Sequence, residues 1–116
     1  MLKVFAFLTK REGMETQAFI DYYENNHVPL ICSLAPTSTV YKRNYLKRGD
    51  EFNMEDGTIG FDVVTEQVFP DRPALLAWLA KLSEPGSGER VVADEEKFLD
   101  RSRYWAYVIE EHVTAE

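Results

Sequence analysis

Two stretches near the ends of this chain are apolar on both sides of the pleat that a β-strand would give them, and this limits the possible folds more than any other feature. Successive side chains along a strand point to opposite faces. In the first stretch, Leu2 to Leu8, the residues Val4, Ala6 and Leu8 fall on one face and Phe5 and Phe7 on the other. From Tyr104 to Glu111, the residues Trp105, Tyr107 and Ile109 oppose Tyr104, Ala106 and Val108. A sheet with one wet face would alternate apolar with polar residues. The first stretch is also too short for an ordinary helix. Both are read as strands of a sheet that is covered front and back.

The chain has 116 residues, room for one small domain and too few for two. We expect a single domain over residues 1–116. Its composition, 45% hydrophobic and 28% charged, is that of a folding chain. A net charge of −7 opposes attraction to phosphodiester backbones and anionic lipid, so neither nucleic acid nor membrane is expected as a partner. The one cysteine, Cys32, cannot close an intramolecular disulfide, suits a reducing compartment and is read as a core residue. The N-terminus lacks a signal peptide's cleavage site, and no apolar run reaches the ~20 residues of a membrane span. A cytoplasmic protein is expected.

Between the two stretches the elements follow closely. Apolar or aromatic residues at 19, 20, 23, 27, 30, 31 and 34 form one helical stripe from Glu15 to Leu34, and Pro29 should kink that helix or divide it into two pieces. Val40–Leu46 reads as a second strand and Ile59–Phe69 as a third, joined by a polar loop from Arg48 to Gly57. Asp71 is a natural N-cap, with Pro73 in the first turn of a helix whose buried side carries Leu75, Trp78, Leu79 and Leu82. Pro85-Gly86-Ser87-Gly88 ends it, and a short helix over Val91–Leu99 precedes the last strand.

The order βαββαβ is that of an α+β, ferredoxin-like fold, a four-stranded antiparallel sheet with its helices on one side. No sequence is left to cover the other side. Left bare, it would exceed the apolar patch that soluble monomers usually expose, so a second copy of the chain is expected to cover it, giving a homodimer.

The stretch FIDYYENNHVPL, with Phe19, Tyr22, Tyr23, His27, Pro29 and Leu30, resembles the EthD family of the dimeric α+β barrel superfamily. So do the segment FDVV at Phe61–Val64 and the run DEEKFLD from Asp94 to Asp100. The chain departs from the pattern at Tyr23, where the family often has Trp. The resemblance implies two ferredoxin-like subunits packed sheet to sheet as a dimeric α+β barrel, each with a site between its own sheet and helices. It also implies small-molecule chemistry of several types, because related barrels isomerise lactones, cyclise or decarboxylate polyketides, or oxidise quinol precursors. Fold alone does not choose among them.

His27 is the sharpest candidate catalytic residue, since imidazole exchanges a proton near neutral pH and stands one helical turn after Tyr23 on the edge of the buried stripe. Its residue type leaves two readings open: a proton shuttle, or a histidine that hydrogen-bonds a backbone carbonyl freed by Pro29. The resemblance favours the first. Tyr23 is the candidate donor to a developing enolate or phenolate oxygen, against the plain alternative of a core aromatic. On the third strand Val63, Thr65 and Gln67 share one face with Phe61, while Asp62, Val64 and Glu66 share the other. The first set suits the helical side, which makes Gln67 a substrate-binding candidate. Asp62 enters as a catalytic candidate on resemblance alone; strand geometry turns it toward the dimer barrel, paired with Arg43 or Lys42. Trp105 is taken as a second substrate-binding residue among the aromatics of the cleft. Asp94 and Asp100 read as cap or turn residues.

No metal site and no organic cofactor are expected. The spacing Glu24-x-x-His27 occurs once, whereas carboxylate-bridged metal centres assemble several such ligands. Gly86-Ser87-Gly88 has no P-loop lysine and reads as a turn. Cys32 is assigned no nucleophilic role. The function that these residues suggest is a cofactor-independent acid/base enzyme acting on a small aromatic, lactone or polyketide-like carbonyl compound, of isomerase, cyclase, decarboxylase or dehydratase type. An oxidoreductase or monooxygenase, and a non-catalytic accessory protein of a degradative oxygenase system, are the alternatives.

Overall fold

The computed structural model describes residues 1–36, 38–57 and 59–115. Four strands, β1 (Leu2–Lys10), β2 (Val40–Tyr45), β3 (Val63–Phe69) and β4 (Leu99–Ile109), form one antiparallel sheet in the order β2-β3-β1-β4. The helices are α1 (Thr16–Tyr22), α2 (Val28–Leu34), α3 (Arg72–Leu82) and α4 (Ser87–Glu95), with a turn of π-helix, Tyr23–His27, joining α1 to α2. The fold is α+β and ferredoxin-like, as the element order implied.

Register fixes the two faces of the sheet. Leu8 lies opposite both Val63 and Tyr104, and Ala6 opposite Thr65 and Ala106, so these residues share the face that meets the helices. There Ala6, Leu8 and Val63 pack with Phe19, Tyr23, Phe98 and Leu99 into the main core, with Phe19, Phe98 and Val63 fully buried. Burial of β3 alternates as the strand pattern required, with Val63, Thr65 and Gln67 enclosed and Val64 and Glu66 less so. The opposite face carries Phe5, Phe7, Trp105 and Tyr107, and with them Phe61, which strand alternation places beside Val63 but which precedes the start of β3; Phe7 meets Phe61 edge-on at 5.1 Å and Tyr107 at 6.2 Å between centroids. Trp105 and Tyr107 are 42% and 60% exposed there.

Several boundaries differ from the sequence reading, each for a local reason. The third strand starts at Val63 and not at Ile59. Asp62 still pairs through its backbone with Leu8 and Leu46, but the carbonyls before it are tied to side chains: Thr9 Oγ1 donates to the Gly60 carbonyl at 2.7 Å and Arg48 Nη2 to the Phe61 carbonyl at 2.6 Å. β4 starts at Leu99, five residues before the expected strand, because β1 continues past Leu8 and Lys10 lies opposite Leu99 beyond a register shift. The polar run 100–103, Asp-Arg-Ser-Arg, carries no apolar alternation that would mark this extension. α4 begins at Ser87 rather than Val91, since Gly86 takes a positive φ of 88° and its N–H is capped by the Glu89 carboxylate. Asp71 caps α3 as expected, its Oδ1 accepting from the Ala74 N–H at 2.9 Å. Leu79, however, is 45% exposed, and no residue of α3 is buried. Cys32 is exposed on α2, not a core residue.

Pro29 divides the long helix without breaking it. A proline has no N–H to donate and its ring crowds the carbonyl four residues back. The wider π-turn accommodates both effects, with the Val28 N–H donating to the Tyr23 carbonyl five residues earlier. No helix among the described residues is long and apolar enough to cross a membrane.

Candidate active site

Phe19, Tyr23, His27 and Ile31 are all buried, a strict four-residue spacing through α1, the π-turn and α2. In an uninterrupted α-helix each such step drifts by about 40°, so the last of the four would leave the stripe begun by the first. The π-turn winds with more residues per turn and holds Tyr23 and His27 together, their rings 5.6 Å apart edge to face. Such turns recur at functional sites. This one is clamped from outside. Glu24 accepts from Arg43 Nε at 2.9 Å, Arg43 Nη2 at 2.6 Å and the Tyr45 hydroxyl at 2.5 Å, which ties the turn to β2. Hydrogen bonds from Arg43 hold the Glu24 carboxyl below its ordinary range, and the carboxylate holds the guanidinium above its own.

His27 and Tyr23 open on a cavity of about 170 Å³ between sheet and helices. Its polar wall is made by Tyr23, His27, Tyr41, Thr65, Gln67 and Glu95, and the rest is largely apolar, from β1, α2 and α3. Leu79 lines it while half exposed, so the cavity opens beside α3. A larger hollow of about 360 Å³ lies in the loop between β2 and β3, but none of the predicted site residues reaches it.

The imidazole is held from behind. His27 Nδ1 lies 2.8 Å from Asp94 Oδ2, and the other carboxylate oxygen of Asp94 accepts from the Tyr22 hydroxyl at 2.6 Å. Burial, and then the Asp94 carboxylate, push the Tyr22 hydroxyl up to about 12. Phe98 packs against the His27 ring at 4.9 Å. With Nδ1–H donating to a carboxylate, Nε2 is left as the acceptor. Among the described residues Nε2 has no hydrogen-bond partner, and no fully enclosed side-chain nitrogen or oxygen lacks one, so Nε2 is reached from the cavity. The Tyr23 hydroxyl shares a 2.7 Å hydrogen bond with Thr65 Oγ1. Burial keeps Tyr23 and Tyr41 protonated well past the ordinary tyrosine value.

The structure therefore brings together His27, Tyr23 and Gln67 and leaves two predicted residues outside. Asp62 does not reach His27 or the cavity. Its partners are the Lys10 N–H at 2.8 Å and Arg48 Nη2 at 3.1 Å, neither Arg43 nor Lys42, because Arg43 is already committed to Glu24. Trp105 lies opposite Phe7 in the ladder and so faces the other side of the sheet. On the helical side its place belongs to Tyr104, a cavity residue. Asp94 is not a cap or turn residue but sits within α4 and orients His27, while Asp100 does serve a turn, accepting from the Ser102 N–H and hydroxyl. The run from Asp94 to Asp100 was the one sequence signal that could have singled Asp94 out. Nothing in spacing marked Glu95, Tyr41 or Tyr104.

The family model for the EthD domain matches residues 11–102, a span that contains the whole polar wall of the cavity and Asp94. The chain belongs to the EthD family. Several solved structures share the fold of this EthD domain, three of them as follows. An EthD-family protein of Bacillus halodurans is 22% identical, with a TM-score of 0.64 over 97% of this chain and 99% of that one. A hydroxynitrile lyase of Passiflora edulis is 16% identical, with a TM-score of 0.53 over 97% and 96%. A dimeric ferredoxin-like protein of Thermobifida fusca is 12% identical, with a TM-score of 0.51 over 93% and 88%. At these identities the likeness is one of fold. No curated protein sequence matches this EthD domain.

Proposed function

We propose that this EthD domain is a cofactor-independent acid/base enzyme for a small aromatic, lactone or polyketide-like carbonyl compound, with His27 as the proton shuttle. One observation carries the reading: a buried imidazole is fixed by a carboxylate on Nδ1 while its Nε2 opens on a small, largely apolar cavity. A cavity of this kind removes water from a substrate and strengthens the few polar contacts within it. His27 Nε2 takes a proton from a C–H or O–H of the substrate, and Asp94 stabilises the imidazolium without itself taking the proton. Tyr23 shares its 2.7 Å hydrogen bond with Thr65 Oγ1, in which either hydroxyl can donate, and in this proposal Thr65 takes the donor role while the Tyr23 O–H turns to the oxyanion that develops on the substrate. His27 then returns its proton at a second atom, completing an isomerisation, or to a leaving group, completing an elimination.

Membership of the EthD family and the fold shared with a lyase fit a small-molecule enzyme or an accessory protein. The paired Asp94 and open Nε2 favour the enzyme, because a carrier needs no oriented base. The working unit in this proposal is a homodimer joined through the aromatic face around Phe7, Trp105 and Tyr107, which agrees with the dimeric fold relative.

The test begins with mass spectrometry of small molecules extracted from the purified protein, followed by turnover of any compound found. His27→Ala should lower turnover by ~10² to 10⁴, the usual share of general acid–base help, and leave the dimer intact by sedimentation. Full activity in His27→Ala removes His27 from the mechanism, and sedimentation of the wild type as a monomer at micromolar concentration removes the dimer.

A further inference from the structure

Besides the histidine, the cavity wall holds two buried polar side chains that the fold does not use fully. Glu95 is 8% and Gln67 9% exposed. Glu95 Oε1 accepts from Arg101 Nε at 3.1 Å, and Arg101, 45% exposed, does not line the cavity. Among the described residues neither Glu95 Oε2 nor the Gln67 amide has a hydrogen-bond partner. No fully enclosed polar side-chain atom is unpaired, so these atoms too are reached from the cavity. Such groups make a cavity selective, because a ligand that fails to pair them leaves desolvated polar atoms behind.

Their chemistry is uneven. Glu95 Oε2 accepts only, Gln67 can both donate and accept, and among the described residues no lysine or arginine lines the cavity. The tyrosine hydroxyls at 23 and 41 stay neutral. A ligand with a hydroxyl donor satisfies Glu95, whereas a carboxylate would face Glu95 across a small space with no lysine or arginine among the described wall residues to offset it. The volume of about 170 Å³ is near that of an engineered cavity, ~150 Å³, known to hold benzene, which restricts the guest to about one ring.

Resting on the proposed acid/base reading, we propose that Glu95 is the specificity-determining residue of this cavity, selecting a neutral, single-ring compound that carries a phenolic or enolic hydroxyl and rejecting its carboxylate counterparts. Gln67 supplies the second polar contact. The reaction class that must provide the substrate is then one that leaves a free ring hydroxyl and no acid group.

Titrations followed by two-dimensional NMR, with resorcinol and with benzoate as probes, test this without turnover. At neutral pH the wild type should bind resorcinol at least about tenfold more tightly than benzoate, the size expected of a like-charge contact in a partly screened site. Glu95→Gln should shrink that preference to about threefold or less, chiefly by strengthening benzoate. Arg101→Gln leaves the carboxylate in place without its counter-charge and should widen the preference; it serves if Glu95→Gln does not fold. Equal binding of the two probes to the wild type, or a preference that neither variant moves, overturns the role of Glu95 and leaves His27 untouched. Failure of both probes to bind overturns the assignment of ligand class, whereas the acid/base reading itself stands or falls separately on the turnover of His27→Ala.

Discussion

Removing the carboxylate behind His27 should have an effect that depends on His27 being there. In the native protein Asp94 accepts from His27 Nδ1 at 2.8 Å and from the Tyr22 hydroxyl at 2.6 Å, and the His27 and Asp94 side chains are 6% and 13% exposed. Asp94→Ala strands a buried imidazole N–H, a loss of ~1–3 kcal/mol. It also frees a partly exposed tyrosine hydroxyl, which regains water at a loss of ~0.5–1.5 kcal/mol. The expected destabilisation is about 2–4 kcal/mol, which at roughly 4 °C per kcal/mol for a domain of this size lowers the melting temperature by about 8–16 °C. In a His27→Ala background the first of these losses disappears. Denaturant unfolding of the wild type, both single variants and the double variant, at one fixed protomer concentration, should therefore give a coupling of ~1–3 kcal/mol. Single effects that add to within ~0.5 kcal/mol would refute the pairing. Asp94→Asn keeps the shape but turns the imidazole toward the wrong tautomer, so on an identified substrate it should lose activity far out of proportion to stability. Full turnover by that variant would show that Asp94 does not orient a base.

Two further outcomes follow from titrating groups. Since the folded state lowers the Glu24 carboxyl, its contribution is fully present above the ordinary value of 4.5 and is lost as pH falls through the lower folded value. The pair with Arg43 is partly exposed, so its worth is ~0.2–1 kcal/mol, and thermal melts of Glu24→Gln should converge on those of the wild type as the pH is lowered beneath 4.5. The Tyr22 hydroxyl is raised to about 12 and Tyr23, Tyr41 and Tyr45 are raised as well, so the stability tied to these groups is complete below pH 10 and is lost as pH rises through their folded values. In an alkaline absorbance titration they should stay unionised past pH 10 until the fold gives way; ionisation of all the tyrosines together near 10 would contradict their burial.

Much of the site was legible because strand and helix periodicities are local. The alternation of β3 assigned Thr65 and Gln67 to the helical side, and the stripe through Phe19, Tyr23, His27 and Ile31 assigned the helix face that meets them. The same rule, applied to β4, separates Trp105 from Tyr104, but with both parities apolar the pattern could not say which set met the helices. The register with β1 decided it. Asp62 was misplaced for a related reason, since its partners Lys10 and Arg48 come from a strand end and a loop whose paths no periodicity describes.

The apolar ends of β1 and β4, the element order and the residues of the EthD pattern are properties of the chain read along its length, and from them come the sheet, its aromatic second face and the identity of the buried histidine. Whether that histidine is a base depends on what stands behind its Nδ1 and in front of its Nε2. Asp94 is 67 positions away and Glu95 shares its helix, so only the packing of α4 against the π-turn brings the carboxylates to the imidazole and to the cavity. A hydrogen bond is set by distance in space, and local periodicity carries no information about which distant carboxylate will arrive there.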